Sequence, residues 1–321
     1  MPSSNHFTAG DIPSLTGLTA LVTGGNGGIG LETVKQLSLH GAKVYMASRS
    51  PEKGEKAIKE LKEQNAGKEL DLHFVRVDLS DLQSVRDGAR EVASKEQKLD
   101  ILVCNAGLMA CPYELTKDGV ETQFQTNYLG HFVLSEELLP LLEAGHKARA
   151  TQDASSIPAS RIVLLSSIAH KMISSNPFQS PKFSDLSTVN RKLGLIEQSA
   201  TWMRYSQAKL CAILHARQIN ARYAAKGVHA IAVHPGVIDS ELWKYTPGRS
   251  VLKKYVLQPV EDGALSPLYG ATSPEVEKEG SWDVYRAEFG QKSSQTKLSQ
   301  DDKLGEQLWN LSVKLMEEKT K

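Results

Sequence analysis

The stretch "LTALVTGGNGGIGLETVKQL", Leu18 to Leu37, decides the fold of this chain. A short apolar run ends in a glycine-rich turn, and the turn leads directly into residues with helical periodicity. Glycines at this turn allow positive backbone dihedrals and let a phosphate group approach the N–H groups at the helix N-terminus. We therefore predict that the turn binds a nucleotide, the alternative being a purely structural turn. The predicted cofactor-binding residues of the turn are Gly24, Asn26, Gly28, Ile29 and Gly30.

Six buried apolar runs alternate with amphipathic helical patterns along the chain. The predicted strands are 18–25, 42–49, 71–79, 99–107, 161–167 and 228–236. The predicted helices are 31–40, 53–65, 82–96, 120–142 and 203–226, with a C-terminal helix at 300–318. Such alternation predicts a single three-layer α/β domain over residues 1–321, with a doubly wound parallel sheet of about seven strands.

Four stretches fall outside this alternation. Residues 1–16 form a predicted N-terminal tail, and the polar, small-residue-rich stretch 143–160 a solvated loop. Residues 168–202 form an insertion between a strand and the next helix, and residues 237–281 contain scattered prolines and aromatics. None of the four contains a second set of strands, so we predict no second domain.

The composition is that of an ordinary globular protein of 321 residues with balanced charge. Lys and Arg number 38 and Asp and Glu 37, and this net charge of +1 argues against a nucleic-acid partner. No apolar run approaches the roughly 18 residues of a membrane span, and the N-terminus lacks the pattern of a signal peptide. We therefore expect a cytoplasmic protein without a transmembrane segment.

Three cysteines, Cys104, Cys111 and Cys211, are too few and too scattered for a disulfide framework. We expect them to be reduced thiols. No metal-ligand spacing such as CxxC or HExxH is present, so we expect no metal.

The end of the second predicted strand indicates which dinucleotide binds. In dinucleotide folds an acidic residue about 20 positions after the glycine turn accepts hydrogen bonds from the adenosine ribose. This chain has Ser48 and Arg49 there, and its next carboxylate is Glu52. A 2′-phosphate would meet the cationic fork of Arg49, so we predict that both residues contact NADP(H), which is preferred over NAD(H). If Arg49 is only a surface residue, NAD(H) remains open.

The pentapeptide "YSQAK" places Tyr205 and Lys209 four residues apart, on one face of a predicted helix. Such a pair is either two surface side chains or an acid with the cation that tunes it. The spacing alone does not decide between them, and the other motifs supply the context.

The chain resembles the short-chain dehydrogenase/reductase family, with its Rossmann-type fold, and is most similar to the retinol-dehydrogenase-like branch. The motifs that carry the resemblance are TGxxxGIG at 23–30, "VDL" at 77–79, "CNAG" at 104–107, "TNYLGHF" at 126–132, "VLLSS" at 163–167, YxxxK at 205–209 and "HPG" at 234–236. Their order along the chain is far more specific than any single motif. The branch assignment is based on "VTGGNGGIG", "SSIAH" and "HPGVIDSEL".

The resemblance implies a cofactor cleft and a catalytic set. Asp78 and Leu79 should flank the adenine, and Ser240 should contact a cofactor phosphate or amide. The residues implied to line the cleft and the nicotinamide end are Asn105, Ala106, Gly107, Pro235, Gly236 and Val237, together with Tyr205 and Lys209. The implied catalytic residues are Asn127, Ser167, Tyr205 and Lys209.

The chemistry of these residue types fits hydride transfer to a carbonyl group. The carbonyl oxygen needs a proton, and Tyr205 is the candidate donor, with Lys209 expected to bring its pKa close to neutrality. Ser167 should hold the substrate oxygen beside Tyr205. By resemblance, Asn127 should bind a water that links Lys209 to solvent. Its alternative is an ordinary helix residue.

The insertion 168–202 joins the two catalytic residues Ser167 and Tyr205, so it must pass near the active-site mouth. We hypothesise that it walls a roomy apolar substrate pocket together with the region 237–281. The aromatic residues that suggest the second wall are Trp243, Tyr245, Tyr255 and Tyr269. The alternative is a surface excursion with its own small core.

Taken together, the sequence predicts an NADP(H)-dependent oxidoreductase. Its substrate would be a ketone or aldehyde, or the corresponding alcohol, of a bulky hydrophobic small molecule. The alternatives are an NAD-linked alcohol dehydrogenase and a non-catalytic NADP(H)-binding regulatory protein. The resemblance also allows a homodimer or a homotetramer.

Overall fold

The structure is a computed structural model that describes residues 6–150, 159–175, 180–194, 196–245, 257–278 and 285–320. The predicted wall residue Tyr255 and positions 176–179 and 195 of the insertion lie outside the described residues.

A seven-stranded parallel sheet forms the centre of the molecule. The strands are β1 (Thr19–Thr23), β2 (Lys43–Ser48), β3 (Leu72–Arg76), β4 (Ile101–Cys104), β5 (Ser160–Leu165), β6 (Val228–Val233) and β7 (Tyr285–Arg286). Their order across the sheet is β3-β2-β1-β4-β5-β6-β7, and every neighbouring pair is parallel. The predicted doubly wound α/β fold is therefore confirmed. The seventh strand has only two residues, too few to produce a pattern in the sequence.

Helices cover the sheet. They are α1 (Gly28–Leu39), α2 (Pro51–Gln64), α3 (Leu82–Lys95), α4 (Thr122–Phe124), α5 (Gly130–Ala150), α6 (His170–Ser174), α7 (Leu186–Val189), α8 (Glu197–Tyr223), α9 (Val260–Thr272), α10 (Glu275–Lys278) and α11 (Asp302–Lys319). A π-helical turn, Gln125–Leu129, joins α4 to α5. Short 3₁₀ turns lie at Ala9–Asp11, Ala224–Lys226, Glu241–Tyr245, Glu288–Gly290 and Leu298–Gln300. No helix in the described ranges is both long and apolar enough to cross a bilayer.

The central strands are buried on both faces, as expected for a parallel sheet between two helical layers. In β1, Leu21 packs into the core on one face, while Ala20 and Val22 pack into the core on the other. This explains why the strand is a continuous apolar run, with no polar residue facing solvent.

Two helix boundaries differ from those predicted by more than three residues. The stretch predicted as a loop from residue 143 is helical as far as Ala150, where α5 ends. Helix α8 begins at Glu197, so it includes the last part of the insertion. The described part of the N-terminal tail packs against the rest of the protein, with Ile12 and Leu15 buried in the core.

Strands β1 and β4 are neighbours at the point where the order of the strands reverses. In open α/β sheets, ligands bind at the carboxyl ends of the strands at such a point. The glycine turn after β1, "CNAG" at 104–107, Ser167 after β5 and "HPG" after β6 all follow carboxyl ends of this sheet.

Candidate active site

The glycine turn between β1 and α1 is sterically restricted on its inner side. Gly24 and Gly28 have left-handed φ values of 65° and 52°. A Cβ on Gly30 would lie 2.3 Å from the Gly24 carbonyl oxygen and 2.5 Å from Asn105 Nδ2. A Cβ on Gly27 would meet nothing within 4 Å, so the outer side of the turn is open to a ligand. The first turn of α1 contains no acidic residue that would repel a phosphate.

Thr23 ties this turn to the end of β4. Its hydroxyl accepts hydrogen bonds from the backbone N–H groups of Asn105 (2.9 Å) and Ala106 (3.0 Å). It also lies 2.9 Å from His131 Nε2, and Asn105 Nδ2 donates to the Thr23 carbonyl oxygen at 2.8 Å. Burial lowers the pKa of His131 to about 4, so this imidazole is neutral at pH 7. Sequence reasoning missed the role of Thr23, although it begins the TGxxxGIG motif.

The adenosine end of the predicted cleft is partly exposed. Ser48 is buried at the end of β2, whereas the next residue, Arg49, is exposed. Asp78 Oδ1 accepts hydrogen bonds from the hydroxyl (2.6 Å) and the N–H (3.0 Å) of Ser80. Leu79 is buried. A cation thus lies at the end of β2, where NAD-binding folds place an acid.

Two adjacent serines after β5 have different surroundings. Ser166 is buried, and its hydroxyl donates to the Lys209 carbonyl oxygen at 2.7 Å. Ser167 is only partly buried; its Oγ accepts from the Ala169 N–H at 3.2 Å and lies near enough to the Tyr205 hydroxyl to lower the pKa of that phenol. The geometry therefore favours Ser167 over Ser166 as the residue that meets a substrate.

Tyr205 and Lys209 lie together on α8, buried beside Ser167. Lys209 Nζ is 5.5 Å from the centroid of the Tyr205 ring and donates to the Leu165 carbonyl oxygen at 2.8 Å. Burial raises the pKa of Tyr205 to about 12, against the opposing effect of the nearby Ser167 side chain. Burial lowers the pKa of Lys209 to about 8. The expectation of a near-neutral phenol is thus wrong for this structure, because desolvation of the buried hydroxyl outweighs the lowering effect of Ser167.

Asn127 lies in the π-helical turn and is buried. Its side chain closes a ring with Leu108: Oδ1 accepts from the Leu108 N–H at 2.6 Å, and Nδ2 donates to the Leu108 carbonyl oxygen at 2.8 Å. A Cβ on Gly107 would lie 2.9 Å from Asn127 Oδ1 and 3.7 Å from Lys209 Nζ. The structure thus brings Asn127 close to Lys209. The water relay remains a prediction.

The segment after β6 meets the glycine turn. Gly236 has a left-handed φ of 97°, and the Val237 carbonyl oxygen accepts from the Gln258 N–H at 2.8 Å. A Cβ on Gly28 would lie 3.7 Å from Ser240 Cβ, so Ser240 borders the open side of the turn. Pro235 is half-buried between β6 and this segment. The structure thus brings Ser240 next to the glycine turn, and the phosphate and nicotinamide contacts stay predictions.

An apolar cluster adjoins Tyr205. It contains the buried side chains of Met109 and Ala110, from the loop after β4, and Ala169. Trp202 and Trp243 pack against it, with the Trp202 ring 6.0 Å from the Tyr205 ring and 6.5 Å from the Trp243 ring. Sequence reasoning missed Met109 and Ala110, although both lie within three residues of the end of "CNAG".

Only some of the predicted wall residues lie beside Tyr205, and the substrate pocket itself stays a prediction. Trp202, from the insertion, and Trp243 lie in the cluster beside Tyr205. Tyr269 instead packs on the opposite side of the sheet, with its ring 5.5 Å from that of Phe7. Tyr245 is 45% exposed. Four other buried apolar side chains of the insertion join the main core, namely Ile173, Phe183, Val189 and Leu193.

The three cysteines and His170 are buried in the packed interior of the protein. Cys104, Cys111 and Cys211 are all buried free thiols. His170 is fully buried, with Nδ1 2.7 Å from the Ser167 carbonyl oxygen and its ring 4.9 Å from that of Tyr285. Its imidazole therefore helps to hold the backbone of Ser167 in place through the Ser167 carbonyl oxygen. Within the described ranges, no group of three or more metal-ligating side chains occurs.

The chain is similar to known proteins over nearly its whole length. A family model described as short chain dehydrogenase matches residues 18–172. An uncharacterized oxidoreductase of Schizosaccharomyces pombe is 39% identical over 319 residues, covering 97% of this chain and 88% of that protein. Retinol dehydrogenase 12 of Homo sapiens is 33% identical over 325 residues, covering 98% and 92%. A solved structure from Mycobacterium paratuberculosis matches with a TM-score of 0.68 and 30% identity, covering 97% of this chain and 98% of that one.

Proposed function

Because this chain belongs to the retinol-dehydrogenase-like branch of the short-chain dehydrogenase/reductase family, we propose that it is an NADP(H)-dependent carbonyl reductase. It reduces a ketone or aldehyde of a bulky hydrophobic small molecule, or oxidises the corresponding alcohol. The observation that carries the proposal is the convergence of Ser167, Tyr205 and Lys209 next to Gly107, in the segment after β4 that packs against the glycine turn.

The residues at the rim fit a dinucleotide. The glycine turn and the N-terminus of α1 would hold its pyrophosphate, and Ser240 faces the same opening. When bound, the nicotinamide supplies or accepts the hydride. The wall that would face it consists of Asn105, Ala106, Gly107, Pro235, Gly236 and Val237.

The protein's own residues then handle the proton. The Tyr205 hydroxyl donates its proton to the substrate oxygen as negative charge develops there. Ser167 donates a hydrogen bond to the same oxygen and orients it. The Lys209 ammonium, next to the Tyr205 ring, stabilises the phenolate that remains. A buried phenol with a raised pKa stays protonated until the reaction takes its proton.

The preference for NADP(H) is supported by charge at the adenosine end. Arg49 is exposed directly after β2, and Ser50 caps the N-terminus of α2 by accepting from the Lys53 N–H at 3.3 Å. A 2′-phosphate there would meet a guanidinium and a helix N-terminus together. Asp78 is the one acidic residue among the predicted cofactor-binding residues, and its Oδ1 accepts hydrogen bonds from the N–H and the hydroxyl of Ser80.

Replacing Tyr205 with Phe tests the catalytic role. We expect turnover of carbonyl substrates with NADPH to fall by about 10²–10⁴-fold, because the proton donor is lost. NADPH binding, measured by fluorescence titration, should be retained. Tyr223→Phe, on the same helix with its hydroxyl 2.9 Å from Glu136, is the matched control. Full turnover by Tyr205→Phe would instead support a non-catalytic tyrosine and a different proton donor.

Replacing Arg49 with Gln tests the cofactor. We expect the dissociation constant of NADPH to rise about tenfold or more, with that of NADH nearly unchanged, because only NADPH carries the 2′-phosphate. Lys59→Gln, an exposed cation farther along α2, should change neither constant. Tighter binding of NADH than of NADPH by the unmodified protein would replace the proposal by an NAD-linked dehydrogenase.

A further inference from the structure

Arg204 is a buried cation next to the catalytic tyrosine that has no part in the proposed reaction. Its side chain is 1% exposed, and it immediately precedes Tyr205 on α8. Buried guanidinium groups are rare unless paired, so the surroundings of this residue call for an explanation.

The guanidinium of Arg204 joins three segments of the chain. Nη1 donates to the Lys192 carbonyl oxygen of the insertion at 2.6 Å, and Nη2 donates to Glu197 Oε1 at 2.8 Å. Nη2 also lies 3.4 Å from the Cys111 carbonyl oxygen, and Nε lies 3.5 Å from Glu121 Oε1, a carboxylate that is 1% exposed. One side chain thus bridges the insertion, the start of α8 and the loop after β4.

Asn190 ties the insertion to the same loop. Its Oδ1 accepts from the Glu121 N–H, and its Nδ2 donates to the Gly119 carbonyl oxygen, both at 2.8 Å. Its own carbonyl oxygen accepts from the Tyr113 hydroxyl at 2.8 Å. The loop and the insertion therefore form one connected unit around Arg204.

Gln123 connects this unit to the apolar cluster. Its Oε1 accepts from the Ala110 N–H, and its Nε2 donates to the Thr201 carbonyl oxygen, both at 3.0 Å. Ala110 and its neighbour Met109 form part of the cluster beside Tyr205, and Trp202 follows Thr201. A displacement of the loop relative to the insertion would therefore move the walls that a substrate contacts.

We propose that Arg204 is a positioning residue for substrate selectivity, which fastens the loop 108–123 to the insertion and so fixes the apolar wall beside Tyr205. This inference rests on the proposed function, because it assumes that a carbonyl substrate occupies the space next to that wall. Arginine is required for this role because its planar fork reaches several acceptors at once, which an ammonium cannot.

Removing the cation alone would leave Glu121 buried and unpaired, which destabilises the fold. A loss of activity in Arg204→Met could therefore come from misfolding as well as from a displaced loop. Burial already raises the pKa of Glu121. The informative variant is Arg204→Met combined with Glu121→Gln. It removes both buried charges but retains an oxygen that can accept from the Phe124 N–H, as Glu121 Oε2 does at 2.7 Å. Arg217→Met is the matched control, since Arg217 forms an exposed 2.7 Å pair with Asp302 on the same helix.

The test compares octanal with propanal as substrates, with NADPH as the cofactor. Each variant assayed must have a Tm close to that of the unmodified protein. We expect kcat/KM for octanal to fall about tenfold or more in the double variant, mainly through KM, while propanal changes little. Amide hydrogen exchange across residues 108–123 should become faster. Arg204→Lys should resemble the double variant in selectivity, and Arg217→Met should resemble the unmodified protein.

An equal loss for both aldehydes, or no loss for either, overturns the inference. Unchanged hydrogen exchange at 108–123 overturns it as well, whatever the turnover. If the unmodified protein reduces neither aldehyde, the proposed function fails separately. Hydrogen exchange then decides alone whether Arg204 fastens the loop to the insertion.

Discussion

At the scale of single residues, the structure changes the electrostatics of the catalytic pair. A surface tyrosine beside a lysine would have a lowered pKa, but both groups are buried here, and burial disfavours each charged form. The pKa of Tyr205 is raised to about 12 and that of Lys209 lowered to about 8. The lysine, rather than the tyrosine, is therefore the group that titrates closest to neutral pH.

This assignment predicts a basic limb in the pH profile of carbonyl reduction. Below about pH 8 Lys209 is charged and can stabilise a phenolate, and above it the ammonium loses its proton. We expect kcat/KM to fall as the pH rises through about 8, while Tyr205 stays protonated. Lys209→Arg keeps its charge, so its remaining activity should lack that limb. A profile that is flat from about pH 7 to 9 would contradict the assignment.

At the scale of elements, the turn between β1 and α1 has an inner and an outer side. Gly30 packs against the Gly24 carbonyl and Asn105, and Gly27 faces open space. The same residue type therefore serves two purposes in one motif. One glycine permits close packing of helix on strand, and the other leaves room for a ligand.

Alanine substitutions should separate the two sides. Gly30→Ala forces an atom to within 2.3 Å of a backbone oxygen, so we expect a lower Tm and loss of NADPH binding. Gly27→Ala should leave the Tm within a few degrees of that of the unmodified protein, because its Cβ meets nothing within 4 Å. Thermal unfolding and fluorescence titration measure both effects. Equal Tm values for the two variants would contradict this reading of the turn.

At the scale of the whole molecule, burial of histidines couples stability to pH. Burial lowers the pKa of His131, His229 and His234 to about 4 and that of His215 to about 3. These groups are neutral in the folded state, whereas the unfolded chain binds their protons near pH 6.5. Their contribution to stability is therefore complete above about pH 6.5 and is lost as the pH falls towards 4.

We expect the free energy of unfolding to decrease steeply between about pH 6.5 and 4, by about 1.4 kcal/mol per pKa unit shifted. His215→Phe should flatten this dependence, because His215 lies among the rings of Tyr128, Phe132 and Trp309 and an apolar ring fits there. Urea unfolding at several pH values measures the slopes. Equal slopes for the unmodified protein and His215→Phe would contradict the prediction.

The sequence by itself determined the architecture, the family and the candidate catalytic residues. Strand and helix patterns are local, so the alternation along the chain predicted the parallel sheet, and the glycine turn was recognisable from adjacent residues. Ser167, Tyr205 and Lys209 were identified by motif, and the sheet brings them together because they follow or face the carboxyl ends of its strands.

Only the tertiary structure decided which segments meet around these residues. Met109, Trp202 and Trp243 come from three separate stretches, and no local pattern states that they share one cluster beside Tyr205. The roles of Thr23 and Arg204 likewise depend on partners far along the chain. The pKa values depend on how completely water is excluded from the site. Burial and long-range contacts are properties of packed segments, so they become visible only once the chain is folded.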